Sequence, residues 1–93
     1  MVSLIYVSTA TADLTPEDLA ALGEAASAAN AARGITGMLA FNGEHFMQLL
    51  EGEDAAVEAL LERIATDPRH RDLVVIRRDV RPAREVPYWS MRA

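Results

Sequence analysis

The chain has no cysteine and no lysine among its 93 residues, and only two histidines. Without cysteine, neither a disulfide scaffold nor a thiolate metal site can form, which suits a cytoplasmic protein. His45 and His70 are too few and too widely separated for a metal-ligand set, so no metal is expected. No apolar run approaches the ~18 residues that cross a bilayer, so no membrane partner is expected. No basic segment followed by an apolar one opens the chain, so no secretory signal is expected either. The net charge is −5 and the pI about 4.9, which argues against general nucleic-acid binding. The charge is also uneven. Only Arg33 is basic up to Glu62, whereas arginines outnumber acids from Arg63 onward. Arginine suits phosphate, but a solvated strand edge accounts for most of these.

At this length one domain over residues 1–93 is expected, with a single modest core. The segment Gly34–Gly52 reads as two strands joined at Asn42-Gly43, a pair that favours a two-residue hairpin turn. In the second strand, His45 to Glu51, the pleat puts Phe46, Gln48 and Leu50 on one face and Met47 and Leu49 on the other. Both faces are apolar except at Gln48. A buried glutamine left without partners costs roughly 1–3 kcal/mol, so Gln48 is either bonded to backbone or aimed at a polar ligand.

Val2 to Ser8 reads as a central strand with Val2, Leu4 and Tyr6 on one face and Ile5 and Val7 on the other. Thr15-Pro16-Glu17-Asp18 combines an N-cap, a first-turn proline and a capping-box partner, with Leu14 and Leu19 placed for a hydrophobic staple. That helix should end near Arg33, with Gly34 as its left-handed cap. Its buried stripe is Leu19, Leu22, Ala26 and Asn30. The alanines leave little bulk there. Asn30 either helps cap the helix or forms the hydrogen-bonding end of a shallow slot for a flat heteroaromatic ring. Asp54 to Thr66 is a second helix, with Val57, Leu60, Leu61 and Ile64 at helical spacing, and Pro68 ends it near Asp67. Leu73 to Val80 has the character of an edge strand, and Glu85 to Met91 is a candidate fifth.

Strand–helix–strand–strand–helix–strand–strand is the order of a ferredoxin-like α+β sandwich with one added strand. It predicts two helices on one face of a five-stranded mixed sheet, with the first and third strands adjacent at its centre. Tyr6, Gln48 and Asn30 would then converge. The other face would be bare, presenting Ile5, Val7, Met47 and Leu49. The fourth strand would add either Leu73 and Val75 or Val74 and Ile76. Exposing these side chains would forfeit roughly 5–10 kcal/mol, so a homodimer or an effector domain is expected to cover them.

Taken in order, Tyr6-Val7-Ser8, Asn30 with Gly34-Ile35-Thr36-Gly37, Phe46-Met47-Gln48-Leu49-Leu50-Glu51-Gly52, Asp67-Pro68-Arg69-His70 and Trp89-Ser90-Met91 resemble the BLUF domain, a flavin-binding blue-light sensor. The resemblance spans nearly the whole chain. It implies a non-enzymatic photoreceptor domain over residues 1–93, with non-covalent FAD, or FMN, as chromophore. Tyr6 would give the excited flavin an electron and then a proton. Gln48 would bridge that tyrosine to flavin N5 and the C4 carbonyl, and its rearrangement would switch those bonds. Asn30 would bond the ring edge, Leu22 and Ile64 would flank the ring, and Arg63 would lie near the ribityl-phosphate chain. Ala26, Asp67 and His70 complete the implied cofactor site, and Trp89 and Met91 would carry the signal.

Two positions depart from the family pattern. Ala29 stands where members often carry histidine or asparagine, and Val86 replaces a phenylalanine. The chain also ends after Met91-Arg92-Ala93, where members commonly continue into further helices. An acylphosphatase-like hydrolase on the same fold would need an arginine-bearing phosphate loop after the first strand. Ser8 to Asp13 has neither arginine nor glycine. A flavin-free interaction module is the remaining alternative, and it would purify colourless.

Overall fold

The computed structural model describes residues 1–92, with side chains for residues 1–89. The strands are β1 (Val2–Ala10), β2 (Thr36–Phe41), β3 (His45–Gly52), β4 (His70–Val80) and β5 (Trp89–Arg92). The helices are α1 (Pro16–Ala32) and α2 (Asp54–Ala65). Four strands form an antiparallel sheet in the order β4-β1-β3-β2, and the short β5 runs parallel to β2 at the far edge. Among the described residues no helix is long and apolar enough to cross a membrane.

Helix α1 begins where its cap chemistry dictates. Thr15 Oγ1 accepts the Asp18 amide at 3.0 Å, and Asp18 Oδ2 accepts the Thr15 amide at 3.1 Å. It ends at Arg33, and Gly34 follows at φ +68, a conformation that costs glycine nothing.

Both helices lie on the face that carries the even-numbered residues of β1 and β3. Leu4, Tyr6 and Leu50 pack with Val57 and Leu60 of α2. Leu39, Phe41 and Phe46 pack with Leu19 of α1. The core is thus two clusters, one beneath each helix, and the two helix backbones stay more than 8 Å apart, Cα to Cα. The alanine-rich second half of α1 lacks the bulk to close the gap between them.

Several expectations need correction. The hairpin turn is centred one residue later than Asn42-Gly43. The Asn42 amide donates to the His45 carbonyl at 3.2 Å, so Gly43 and Glu44 are the central pair. Only Gly43 takes positive φ, at +96, while Asn42 Oδ1 accepts the amides of Glu44 and His45. β4 starts at His70 rather than Leu73, because Ala10 and Thr9 extend β1 and pair with His70 and Arg71. Residues 85–88 are not strand. The stretch from Arg81 to Tyr88 instead carries the chain from one sheet edge to the other across the helix-free face. That face is therefore not wholly bare, since Ser3 and Glu51 on it are fully buried. Beyond this crossing, Met47 is 49% exposed and Val74 and Ile76 are 54% each. Leu73 and Val75 turn into the core instead.

Candidate functional site

The gap between the helices is a cavity of about 580 Å³, within the usual range for small-molecule sites. Its floor is the sheet, with Tyr6, Gln48 and Leu39 in one cross-strand row. One wall is α1, where Leu22 and Ala26 lead to Asn30, and the other is α2 at Leu60, Arg63 and Ile64. The α2–β4 turn closes one end with Asp67 to His70.

The sequence placed nine residues in a cofactor site: Tyr6, Leu22, Ala26, Asn30, Gln48, Arg63, Ile64, Asp67 and His70. All nine line this one cavity. Trp89 does not. It packs beside the Leu19, Leu39 and Phe46 cluster under α1. The side chain of Met91 lies outside the described residues, although its backbone extends the floor row by pairing with Leu39.

The floor is built around a buried bond. Tyr6 and Gln48 are cross-strand partners, and the Tyr6 hydroxyl donates to Gln48 Oε1 at 2.6 Å. The residues are 1% and 4% exposed. Burial, followed by the nearby Asp67 carboxylate, pushes the Tyr6 pKa well above its ordinary value, so the phenol stays protonated and remains a donor. With Oε1 engaged, the other end of the Gln48 amide makes no hydrogen bond among the described residues. Asn30 is 2% exposed, and its Nδ2 is buried without a partner. An unpaired buried donor costs roughly 1–3 kcal/mol, so this geometry calls for an acceptor in the cavity. Apolar walls with a few convergent polar groups suit a flat ring edged with carbonyls and ring nitrogens. The residues present fit a flavin.

At the closed end, Arg69 forms a bidentate pair with Asp67 through Nε and Nη2. That hydrogen bonding leads the causes that lower the Asp67 pKa to about 2, from 3.8. His70 Nδ1 lies 2.7 Å from Ser8 Oγ, and its ring packs against Phe46 at a tilt of 44° with the ring centres 4.6 Å apart. Burial lowers the His70 pKa most, Asp67 opposes this, and Arg69 adds to it.

A folded-state value below the ordinary 6.5 means that the folded protein holds His70 neutral while the unfolded chain protonates it. The stability this contributes is present above pH 6.5 and is lost as pH falls below it. Asp67 acts in the same sense, but only between 3.8 and about 2. The melting temperature is therefore expected to fall between pH 7.5 and 5.5. His70→Gln should remove most of that fall, and an unchanged pH dependence in the variant would clear His70 of it.

Ala25, Ala29, Arg33, Leu39 and Arg69 also line the cavity without having been assigned there from sequence. The alanines were detectable, since Ala25 and Ala29 flank the Leu22–Ala26–Asn30 stripe. Ser8, which meets His70 behind the cavity lining, was not, because that contact spans 62 positions.

A family described as "BLUF: Sensors of blue-light using FAD" matches residues 1–92. The blue light- and temperature-regulated antirepressor BluF of Escherichia coli K12 is 37% identical over 84 residues, covering 90% of this chain and 21% of that protein. The dark-state structure of BlrB, a BLUF protein, aligns with TM-score 0.89 at 37% identity, over 98% of this chain and 69% of that one. Klebsiella pneumoniae BlrP1 with FMN and cyclic diGMP aligns with TM-score 0.83 at 43% identity, over 96% of this chain and 25% of that one. The chain thus spans about a fifth of the antirepressor it matches. With the fold, the cavity and these matches in agreement, the chain belongs to the BLUF family of flavin-binding blue-light sensors.

Proposed function

We propose that this chain senses blue light through a flavin, FAD or FMN, held non-covalently between α1 and α2, with the Tyr6–Gln48 pair as the switch. The observation that carries this reading is the 2.6 Å buried bond between the two side chains on the floor of the cavity. Bound there, the flavin supplies the absorption of blue light and the redox-active ring. With the ring bound beside it, Tyr6 would be the donor of one electron and then of its phenolic proton to that ring, and both would return to Tyr6 as the cycle closes. The Gln48 amide is asymmetric, an acceptor at one end and a donor at the other. Rotation or tautomerisation exchanges what it offers to Tyr6 and to the cavity, which makes a two-state element without lasting charge separation. Asn30 holds the ring edge with its free amide, Leu22, Ala26 and Ile64 pack on the ring, and Arg63, Asp67 and His70 line its route out.

The signal leaves by β5. Gln48 pairs with Leu39, and Leu39 pairs with Met91, so the switch lies two strands from Met91, with Trp89 on the same strand. This chain acts as the sensor, and its output belongs to an effector domain or protein. The apolar rows of the helix-free face are where a second copy docks. Each such side chain is worth about 1.5–3 kcal/mol when fully buried. Light scattering should give a dimer at tens of micromolar, and a monomer that binds no dye for exposed apolar surface would refute this.

The sensor assignment itself is tested by the visible absorption spectrum of the purified, flavin-loaded protein under blue light. The flavin band should move to longer wavelength and recover in the dark. Bleaching without a shift would overturn the assignment.

A further inference from the structure

The Arg81–Tyr88 crossing is fastened to the sheet by two side chains, one reaching in each direction. Asp79, Ser3, Glu51 and Thr36 form one cross-strand row near the end of the helix-free face. Glu51 is fully buried, and its Oε1 accepts the backbone amides of Glu85 at 2.9 Å and Val86 at 2.8 Å. From the crossing, Arg84 reaches back. Its Nη1 donates to Thr36 Oγ1 at 2.7 Å and to the Glu51 carbonyl at 2.8 Å, and its Nη2 donates to the Gly34 carbonyl at 2.7 Å. Arg77 adds a bond to Ser3 Oγ at 3.1 Å. Glu85 pairs with Arg81 on the outer side.

β5 begins three residues after Val86 and has only four residues. It is a parallel edge strand whose first tie to β2 is a 3.3 Å bond from the Gly37 amide to the Tyr88 carbonyl. So short an edge strand has little stability of its own. Hydrogen bonds in which one partner carries a formal charge are shorter and stronger than neutral ones, and the clasp supplies five involving Glu51 or Arg84. Glu51 also lies three positions after Gln48 on β3, so the clasp ties the strand that carries the switch to the segment leading into the output strand.

We propose that Glu51 and Arg84 are positioning residues for light signalling: together they hold β5 in register on β2, so that a change in the bonds of Gln48 is felt at Trp89. This rests on the sensor reading above. Neither residue lines the cavity, so flavin binding does not depend on them.

The test is Glu51→Ala in the flavin-loaded 93-residue protein, with Glu51→Gln and Arg84→Lys alongside. Glu51→Ala should keep the flavin and the size of its light-induced shift. Its dark recovery rate should change at least five-fold, and backbone amides of residues 85–92 should exchange with deuterium at least ten-fold faster in the dark. Glu51→Gln keeps the oxygen that accepts both amides and should restore wild-type behaviour. Arg84→Lys cannot reach three acceptors at once and should resemble Glu51→Ala, and it decides the matter if Glu51→Ala does not fold. Wild-type recovery and wild-type β5 exchange in the altered proteins would overturn the proposal. So would a lowered melting temperature with unchanged recovery, since that is a purely structural role. The dark exchange of β5 requires no photochemistry, so a wild-type protein that fails to respond to light would remove the sensor reading while leaving the clasp's hold on β5 separately measured.

Discussion

Gln48→Leu is expected to give a yellow protein that no longer shifts its spectrum in blue light. Leucine fills nearly the same volume on the cavity floor, so the flavin should still bind. The asymmetric amide is gone, however, and with it the group proposed to exchange an acceptor for a donor beside Tyr6. The change also strands the Tyr6 hydroxyl, which is 1% exposed and donates to Gln48 Oε1, at a cost of about 1–3 kcal/mol in stability. Tyr6→Phe should lose the shift by a different route. The ring still packs, but there is no phenolic proton to give. That variant leaves Gln48 beside the cavity, where water or ligand can satisfy it, so it should be the more stable of the two. Asn30→Ala should separate binding from switching. It removes a buried amide nitrogen in the cavity wall that lacks a partner among the described residues, so flavin affinity should fall about ten-fold or more while the residual bound fraction still shifts. A normal photocycle in either floor variant would remove that residue from the mechanism, and unchanged affinity in Asn30→Ala would remove the direct contact.

Gly37→Ala should be the most damaging small substitution in the sheet. A Cβ at this position would overlap the Leu49 carbonyl oxygen and crowd the Leu49 carbonyl carbon and Leu50 Cα. These are backbone atoms of the neighbouring strand, so no side chain can swing aside. Overpacking typically costs about 1–3 kcal/mol and more where the backbone must shift, against a total of about 5–15 kcal/mol. Gly37 also donates its amide to the Tyr88 carbonyl just before β5, so the damage should extend to β5. Gly34→Ala provides the contrast. Nothing lies within 4 Å of a Cβ there, and its cost comes from positive φ alone, about 1–2 kcal/mol. A Gly37→Ala protein whose denaturant midpoint lies within error of wild type would show that β2 and β3 are not packed this closely.

The two predictions draw on residues that were unequally readable. Gln48 stands out in sequence because a polar side chain interrupts a strand that is apolar on both faces, and the Thr15-Pro16-Glu17-Asp18 cap fixes the start of α1 within one residue. The convergence of Tyr6 with Gln48 followed from topology, and the register bears it out. Gly37 could be noticed but not explained, since the need for it lies in the approach of β3. The crossing from Arg81 to Tyr88 was misread as strand from Glu85 onward because its path depends on contacts 33 to 50 positions away, between Arg84 or Glu51 and their partners. The turn at Gly43 moved by one residue for a local reason: the Asn42 side chain takes the place of a backbone acceptor. Of the arginines that dominate the second half, those at Arg69, Arg71, Arg77, Arg78 and Arg81 sit in ion pairs. Arg63 faces the cavity.

The chain contains a single glutamine, so labelling glutamine side-chain amides with ¹⁵N and ¹³C marks Gln48 alone. The most direct measurement is the light-minus-dark infrared difference spectrum of the flavin-loaded protein, with and without that label. If Gln48 is the switch, amide bands that shift with the label should appear on illumination and vanish with the same time course as the dark recovery of the flavin band. A flavin that shifts reversibly while the difference spectrum shows no label-sensitive band would mean that the Gln48 amide does not rearrange, and would contradict the Tyr6–Gln48 mechanism.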